Sequence, residues 1–298
     1  MLVVRSSLLF GIVGFGLVAL GACGADEAPA PRAGLEADAA PAKAEAGPGL
    51  DAGSEEDAPD AATPDAPAAK TLRVMTFNIK HGDVGGLDGV AEAIKAEQAD
   101  LVGLQEVDVD AERSGKINQA LRLGQLTGMT SLFRTAINFP TGGSYGLALL
   151  SRFPVLASER VLLPSSGEQR ILAVVNVELS KDRVIPVGIV HLDLEATARA
   201  AQATEIVAKL GSEPLAIVMG DFNAQPNDPS MTTLAGAFVD AWTAAGAGPG
   251  FTIPPANPAR RIDYVLLGKG WPKATSAHVP ASKASDHLPV VVDVPFPP

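Results

Sequence analysis

An α/β fold of two mixed sheets packed face to face, with helices outside, is what this sequence predicts. Three observations carry that reading. Short apolar runs alternate with amphipathic stretches early in the chain, strand-like runs follow one another in the middle, and strands return at the end. Layers that must each bury an apolar face settle into few arrangements, and this order suits sheet packed on sheet. Residues 71–298 then form a single domain of 228 residues that needs no second core.

The elements follow in order. LRVMTFNI opens the domain as a strand, and VAEAIKAEQA is the first helix. DLVGLQEV is the next strand. INQALRLGQLTG reads as a helix ended by Gly128, a residue free to take the positive φ that closes helices. Four strands come in succession: SYGLALLSR, VLASERVLL, ILAVVNVEL and VIPVGIVHL. The alternation in VLASERVLL predicts one solvated face. EATARAAQATEIVAKL is a helix and LAIVMGD a strand. A loop-rich section containing FVDAW leads to three closing strands, RIDYVLLG, ATSAHVP and VVVDVPF.

The part before residue 71 has a different character. Arg5 precedes LLFGIVGFGLVALGA, an apolar run with the length of a signal-peptide core rather than a membrane span of about 20 residues. It ends in LGAC, and Cys23 is the one cysteine of the chain. Leu20-Gly21-Ala22-Cys23 resembles the lipobox of bacterial lipoproteins. That resemblance implies a signal peptide over 1–22, a lipidated Cys23 and export to the cell envelope. Gly24, rather than Asp, follows the cysteine and favours the outer membrane over the inner, with the catalytic domain periplasmic or extracellular. Several acyl chains anchor stably, because each buried methylene contributes about 0.8 kcal/mol. A cysteine used this way leaves none for a disulfide or a thiolate nucleophile.

Residues 23–70 read as a disordered Ala/Pro/Asp/Glu-rich linker. They lack the large apolar side chains that would offset the entropy of ordering. Eleven acids and three bases between 24 and 70 give this stretch −8 of the chain's −11. Residues 71–298 hold twenty-three acids and nineteen bases, so the domain is only mildly acidic. It has no basic stripe of the kind that neutralises many phosphates, which argues against tight polyanion binding. Turnover of one phosphate at a time is not excluded.

Polar residues recur where apolar strands end. Asn78 follows VMTF, Glu106 follows LVGLQ, and His191 follows PVGIV. Asp221 and Asn223 stand in GDFN after AIVM. Asp263 lies in RIDYVL, and Asp286–His287 precede LPVVVD. Strand-end side chains converge at one edge of a layered sheet protein, where ligands bind. Each residue also has a plain structural reading: turn residues for GDFN and SDH, a solvated acid for Glu106, a core histidine for His191. As a set they are chemically coherent. Carboxylate and amide oxygens from Glu106, Asn78 and Asp286 suit a hard ion such as Mg²⁺, or Mn²⁺. Without a HExxH pattern or a cysteine cluster, zinc of the usual kinds has no support. Two histidines near acids act as acid, base or oxyanion donors, and a metal beside them suits phosphate-ester hydrolysis.

The ordered series TFNIKHG, LQEVD, YGLALLSRFP, HLD, GDFNAQP, RIDYVL and SDHLPVV resembles the endonuclease/exonuclease/phosphatase superfamily across 71–298. The resemblance implies a four-layer α/β/β/α sandwich and Mg²⁺-dependent hydrolysis of phosphoesters. Carried over by position, Glu106 matches the principal metal ligand, with Asn78 beside it at the scissile phosphate. Asp221 matches the acid that aligns or deprotonates water, and Asn223 the amide that holds the nucleophile or a transition-state oxygen. Asp263 and His287 match an acid–imidazole pair, and Asp286 a metal ligand or a neighbour of one. His191 matches the histidine of deoxyribonuclease-like and phosphodiesterase members, where abasic-site endonucleases carry tyrosine.

EVDVDAERSGKINQALRLGQLTGM further resembles a bacterial branch of metal-dependent hydrolases in which Arg113 and Ser114 recur near the site. Arg113 is either a solvated loop charge or a contact to phosphate or headgroup. Tyr145 either packs or binds substrate. Arg261 is a candidate surface charge beside Asp263. The expected partners are a phosphoester substrate (lipid headgroup, nucleotide or nucleic acid) and the membrane, with no obligate protein partner. A same-family extracellular nuclease and a lipid-anchored binding protein without turnover are the alternatives.

Overall fold

The structure, a computed structural model, describes residues 70–297. The expected leader, Cys23 and the linker up to residue 69 lie outside the described residues. Among the described residues no helix is long and apolar enough to cross a membrane.

Among the described residues, twelve strands and five α-helices follow one another. They are β1 (Thr71–Asn78), α1 (Gly86–Glu97), β2 (Leu101–Val109), α2 (Gln119–Thr127), β3 (Thr130–Asn138) and β4 (Ser144–Ser151). Next come β5 (Val155–Leu163), β6 (Arg170–Ser180), β7 (Arg183–His191), α3 (Ala196–Leu210) and β8 (Ile217–Asp221). The chain closes with α4 (Pro229–Ala235), β9 (Phe238–Asp240), α5 (Ala241–Ala245), β10 (Asp263–Gly268), β11 (Ser276–His278) and β12 (Val290–Pro295).

The strands form two sheets of six, ordered β11-β12-β1-β2-β4-β3 and β5-β6-β7-β8-β10-β9. Each sheet has one parallel pair at its centre, β1–β2 in one and β7–β8 in the other, and antiparallel pairs elsewhere. The sheets are therefore mixed, as the sequence predicts. Val74, Leu149, Val187, Met219 and Val292 belong to the core between the sheets. A second core packs Val90 and Ile94 of α1 and Leu123 of α2 on Phe77 and Leu104. A third packs Ala203 and Ile206 of α3 and Leu234 of α4 on Val190, Val218 and Leu266. Helix, sheet, sheet and helix make four layers. Central strands buried on both faces are apolar along most of their length, which is why β7 and β8 carry the runs VIPVGIV and IVMG.

Four elements were hidden in the sequence. Edge strand β3 is half-buried along most of its length, so no apolar face repeats in TSLFRTAIN. The short helices α4 and α5 are set by caps rather than by periodicity. Asp228 accepts the Ser230 N–H, with Pro229 in the first turn, and Asp240 accepts the Trp242 N–H. Three-residue β9 leads directly into α5. Strand β5 is the other sheet's edge, and its Leu156 and Leu162 are each 55% exposed, so its solvated face carries apolar side chains.

Candidate active site

Strand register assembles half of the site. Across the parallel β7–β8 pair His191 lies opposite Asp221, and across β8–β10 Asp221 lies opposite Asp263. In the other sheet Asn78 ends β1 opposite Gln105 of β2. Glu106 comes next, inside a bulge that breaks the β2–β4 register between Leu104 and Val107. Its φ of +59° is unusual for a residue with a side chain, and such backbone is tolerated where function fixes it. Asp286 and His287 enter just before β12, the neighbour of β1.

Asp221 is the hub. Its Oδ1 accepts the Asn223 N–H at 2.8 Å, an Asx turn that explains the positive φ of Asn223. Its Oδ2 accepts Asn78 Nδ2 at 3.1 Å, and lies 3.5 Å from His191 Nε2 and 3.7 Å from His287 Nε2. Gly220 is required just before it, since a Cβ there would sit 2.0 Å from the Val190 carbonyl oxygen. Asn78 joins the two sheets: the same Nδ2 donates to Glu106 Oε1 at 3.0 Å, while its Oδ1 accepts the Lys80 N–H at 3.1 Å. The amide nitrogen, not the oxygen, thus faces the acids. Asn223 spends a side-chain N–H on the Leu192 carbonyl at 2.9 Å.

The two histidines differ in charge. Burial opposes the imidazolium of His287, but Asp263 at Nδ1, with Asp221 and Asp286 nearby, outweighs it and pushes the ring up to about 9. Thr252 Oγ1 donates to the same Asp263 oxygen at 2.6 Å. Burial lowers His191 to about 4, reinforced by Arg170 and His287 against the opposing pull of Asp221. Near neutral pH, then, His287 is an imidazolium and His191 a neutral ring. Tyr145 is buried on β4, with its Oη 3.5 Å from His191 Nδ1, so it belongs to the site wall.

Glu106 and Asp221 are both pushed upward, chiefly by burial. Neighbouring acids add to this, Asp221 and Asp286 acting on Glu106 and Asp263 on Asp221. Four acids (Glu106, Asp221, Asp263, Asp286) face the imidazolium and Lys80, whose Nζ is 3.2 Å from Asp286 Oδ2. These acids outnumber the two cations beside them. An all-oxygen donor set with that excess fits a hard divalent cation. Ligand atoms of Asp221, Asp263 and His287 also lie within 4.8 Å of one another. Of these three, the His287 ring is already bonded to Asp263 through Nδ1.

Arg113 is neither a free loop charge nor an unengaged phosphate hook. Its Nε and Nη2 each lie 2.8 Å from the carboxylate of fully buried Asp108. Its guanidinium packs on Phe139 and Tyr145, 4.9 and 5.3 Å from the ring centres. Arg261 is buried, bonded to Asp240 at 2.7 Å and stacked on Tyr264, so it is not a surface charge beside Asp263. Lys80, His81 and Arg170 complete the surroundings without having stood out in sequence. His81, at φ +43°, brings Nδ1 to 3.8 Å from Glu106 Oε2. The KHG after β1 was its only signal. Arg170 sits one residue before the run ILAVVNVEL, where nothing marked it.

The profile of the Endonuclease/Exonuclease/phosphatase family matches residues 75–287, a span holding every one of these residues. The chain belongs to that family. Endonuclease/exonuclease/phosphatase proteins are phosphoesterase and nuclease hydrolases that depend on divalent metal, and this chain is a hydrolase acting on phosphoester bonds. The family member from Bacteroides vulgatus has a similar structure, with a TM-score of 0.65 at 22% identity over 76% of this chain and 98% of that one. Mannosyl-6-phosphatase of Bacteroides thetaiotaomicron VPI-5482 gives 0.62 at 17% identity, covering 76% and 100%. The catalytic domain of human Nocturnin, with bound sulfate, gives 0.60 at 24%, covering 75% and 93%. These likenesses show the fold. The search of curated proteins gave no match.

Proposed function

We propose that this chain is a Mg²⁺-dependent phosphoesterase that cleaves phosphodiester bonds while tethered at the bacterial cell envelope through Cys23. The observation that carries the catalytic part is Asn78 Nδ2 reaching both Glu106 and Asp221, which holds a cation seat and a buried base side by side. Glu106 and Asp286 would hold the ion, which when bound supplies positive charge against the phosphoryl oxygens. Asp221, raised by burial, orients the attacking water and accepts its proton. Asp263 fixes the His287 tautomer at Nδ1, leaving the Nε2 proton to meet charge developing on the phosphoryl group. Neutral His191 completes the hydrogen-bonding wall with Tyr145.

Release of p-nitrophenol from bis-p-nitrophenyl phosphate by the purified chain tests the reading. Activity in Mg²⁺ that EDTA abolishes and Asp221→Asn removes is expected. Turnover that survives EDTA would sink it. The envelope part rests on the lipobox-like LGAC, and palmitate labelling that disappears in Cys23→Ser is its check. Plasmid DNA in the same assay decides whether nuclease action is the better description.

A further inference from the structure

The two carboxylate oxygens of Glu106 face different neighbours. Oε1 accepts Asn78 Nδ2, and Oε2 lies 3.8 Å from His81 Nδ1. That separation is too long for a hydrogen bond. Yet His81 Nδ1 is buried and has no hydrogen-bond partner among the described residues. A buried polar atom left unpaired is costly, and it points to something that belongs between the two groups. The fold holds them at this distance from both sides. Lys80 and His81 take successive left-handed conformations, with φ of +45° and +43°, and Glu106 meets them at +59°. Such backbone is strained in residues with side chains and gathers where function fixes it. The His81 carbonyl accepts Gln119 Nε2 at 2.6 Å, and Gln119 Oε1 accepts the Asp108 N–H at 2.9 Å. One buried glutamine thus clamps the turn bearing His81 to β2, the strand bearing Glu106.

We propose that His81 Nδ1 and Glu106 Oε2 are ligands of one divalent cation, which makes the metal centre a mixed nitrogen–oxygen site biased toward Mn²⁺ over Mg²⁺. The proposal rests on the phosphoesterase reading and specifies its cation. Two ligands each about 2.1 Å from one ion stand roughly 3–4 Å apart. The 3.8 Å gap between Nδ1 and Oε2 is one that an ion closes. The lone pair of a neutral imidazole nitrogen suits first-row transition metals, whereas Mg²⁺ keeps to oxygen and its own waters. The other two site histidines direct Nδ1 elsewhere, His287 to Asp263 and His191 toward Tyr145.

Pulsed electron paramagnetic resonance of Mn²⁺ bound to the full chain, without substrate, reads the nitrogen directly. Nitrogen modulation that shifts when the histidines are isotope-labelled is expected, and its absence from the parent would overturn the proposal. His81→Asn tolerates the left-handed backbone but lacks the ring nitrogen. It should lose the modulation and bind Mn²⁺ about ten- to a hundredfold more weakly by calorimetry, with a smaller loss for Mg²⁺. His278→Asn, at a histidine bonded to Glu97 on β11, should change neither affinity. Modulation that survives in His81→Asn and disappears in His287→Ala would overturn the proposal and place the ion with Asp221 and Asp263. Unchanged or tighter Mn²⁺ binding in His81→Asn would also overturn it, because the ring would then only balance the Glu106 charge. Histidine ligation in a protein that hydrolyses no diester would uphold the site and defeat the phosphoesterase reading. Hydrolysis without that ligation would do the reverse.

Discussion

Asp263 grips His287 by one ring nitrogen, Oδ2 to Nδ1 at 3.0 Å, and so aims the other nitrogen at Asp221, 3.7 Å away. The ring is thereby a positioned proton rather than a mobile one. Replacing it with alanine removes a donor aimed at the phosphoryl oxygens. His287→Ala should lower kcat by about 10²–10³ with KM little changed. Asp263→Asn, which loses the grip but keeps the shape, should fall between that variant and the parent. Steady-state kinetics on bis-p-nitrophenyl phosphate decide it.

Glu106 should report on the metal directly. A ligand that binds only the folded chain raises its stability, so Mg²⁺ should raise Tm in a concentration-dependent way. Glu106→Gln keeps the Asn78 neighbour but removes the charge, and its Tm should be insensitive to Mg²⁺. An equal rise in the variant would move the cation seat elsewhere, with Asp221 and Asp263 the next candidates.

Arg113 should matter to folding before it matters to substrate. Asp108 is wholly buried, and deleting its partner leaves a buried charge uncompensated. Breaking such a pair costs about 3–5 kcal/mol. Because Arg113 itself keeps 43% of its side chain exposed, the lower end is expected for Arg113→Ala in urea unfolding. An unchanged midpoint with a raised KM would restore the phosphate-contact role.

Asp193 gives a stability-versus-pH prediction away from the site. Burial opposes its charge, but three donors outweigh it: Ser166 N–H, Ser166 Oγ and Glu195 N–H, at 2.8–2.9 Å. Its folded pKa is therefore depressed. Stability from this carboxylate is fully present above the unfolded value, about 3.9, and is lost as pH falls through the folded value. Asp193→Asn should cost about 1–3 kcal/mol at pH 7 by leaving donors badly matched. The gap to the parent should narrow below about pH 4. A gap that stays constant to pH 2.5 would contradict the linkage.

What the sequence disclosed depended on how local each signal was. Strands such as VMTF and AIVMG are apolar on both faces because both faces are covered, and that is visible in a linear reading. The candidate set was legible for the same reason, since Asn78, His191 and Asp221 end those runs and Glu106 breaks one at a bulge within β2. Charge states were not legible. His191 and His287 look alike in sequence, and only Asp263 at one ring and burial with Arg170 at the other separate them. The partners of Arg113 and Arg261 were not legible, because Asp108 and Asp240 are ordinary acids until the fold buries the pair. Edge strand β3 carried no pattern because an edge imposes none.

The order in which the chain crosses between sheets has a consequence for how the protein comes into being. Strand β12 is among the last elements in sequence, yet it pairs with β1, the first strand, on the side away from β2. Until it arrives, β1 presents an open edge, and Asp286 and His287 are not yet in place. A chain cut just before β12 would keep His287 but lose the strand that anchors it, and would leave β1 as an open edge.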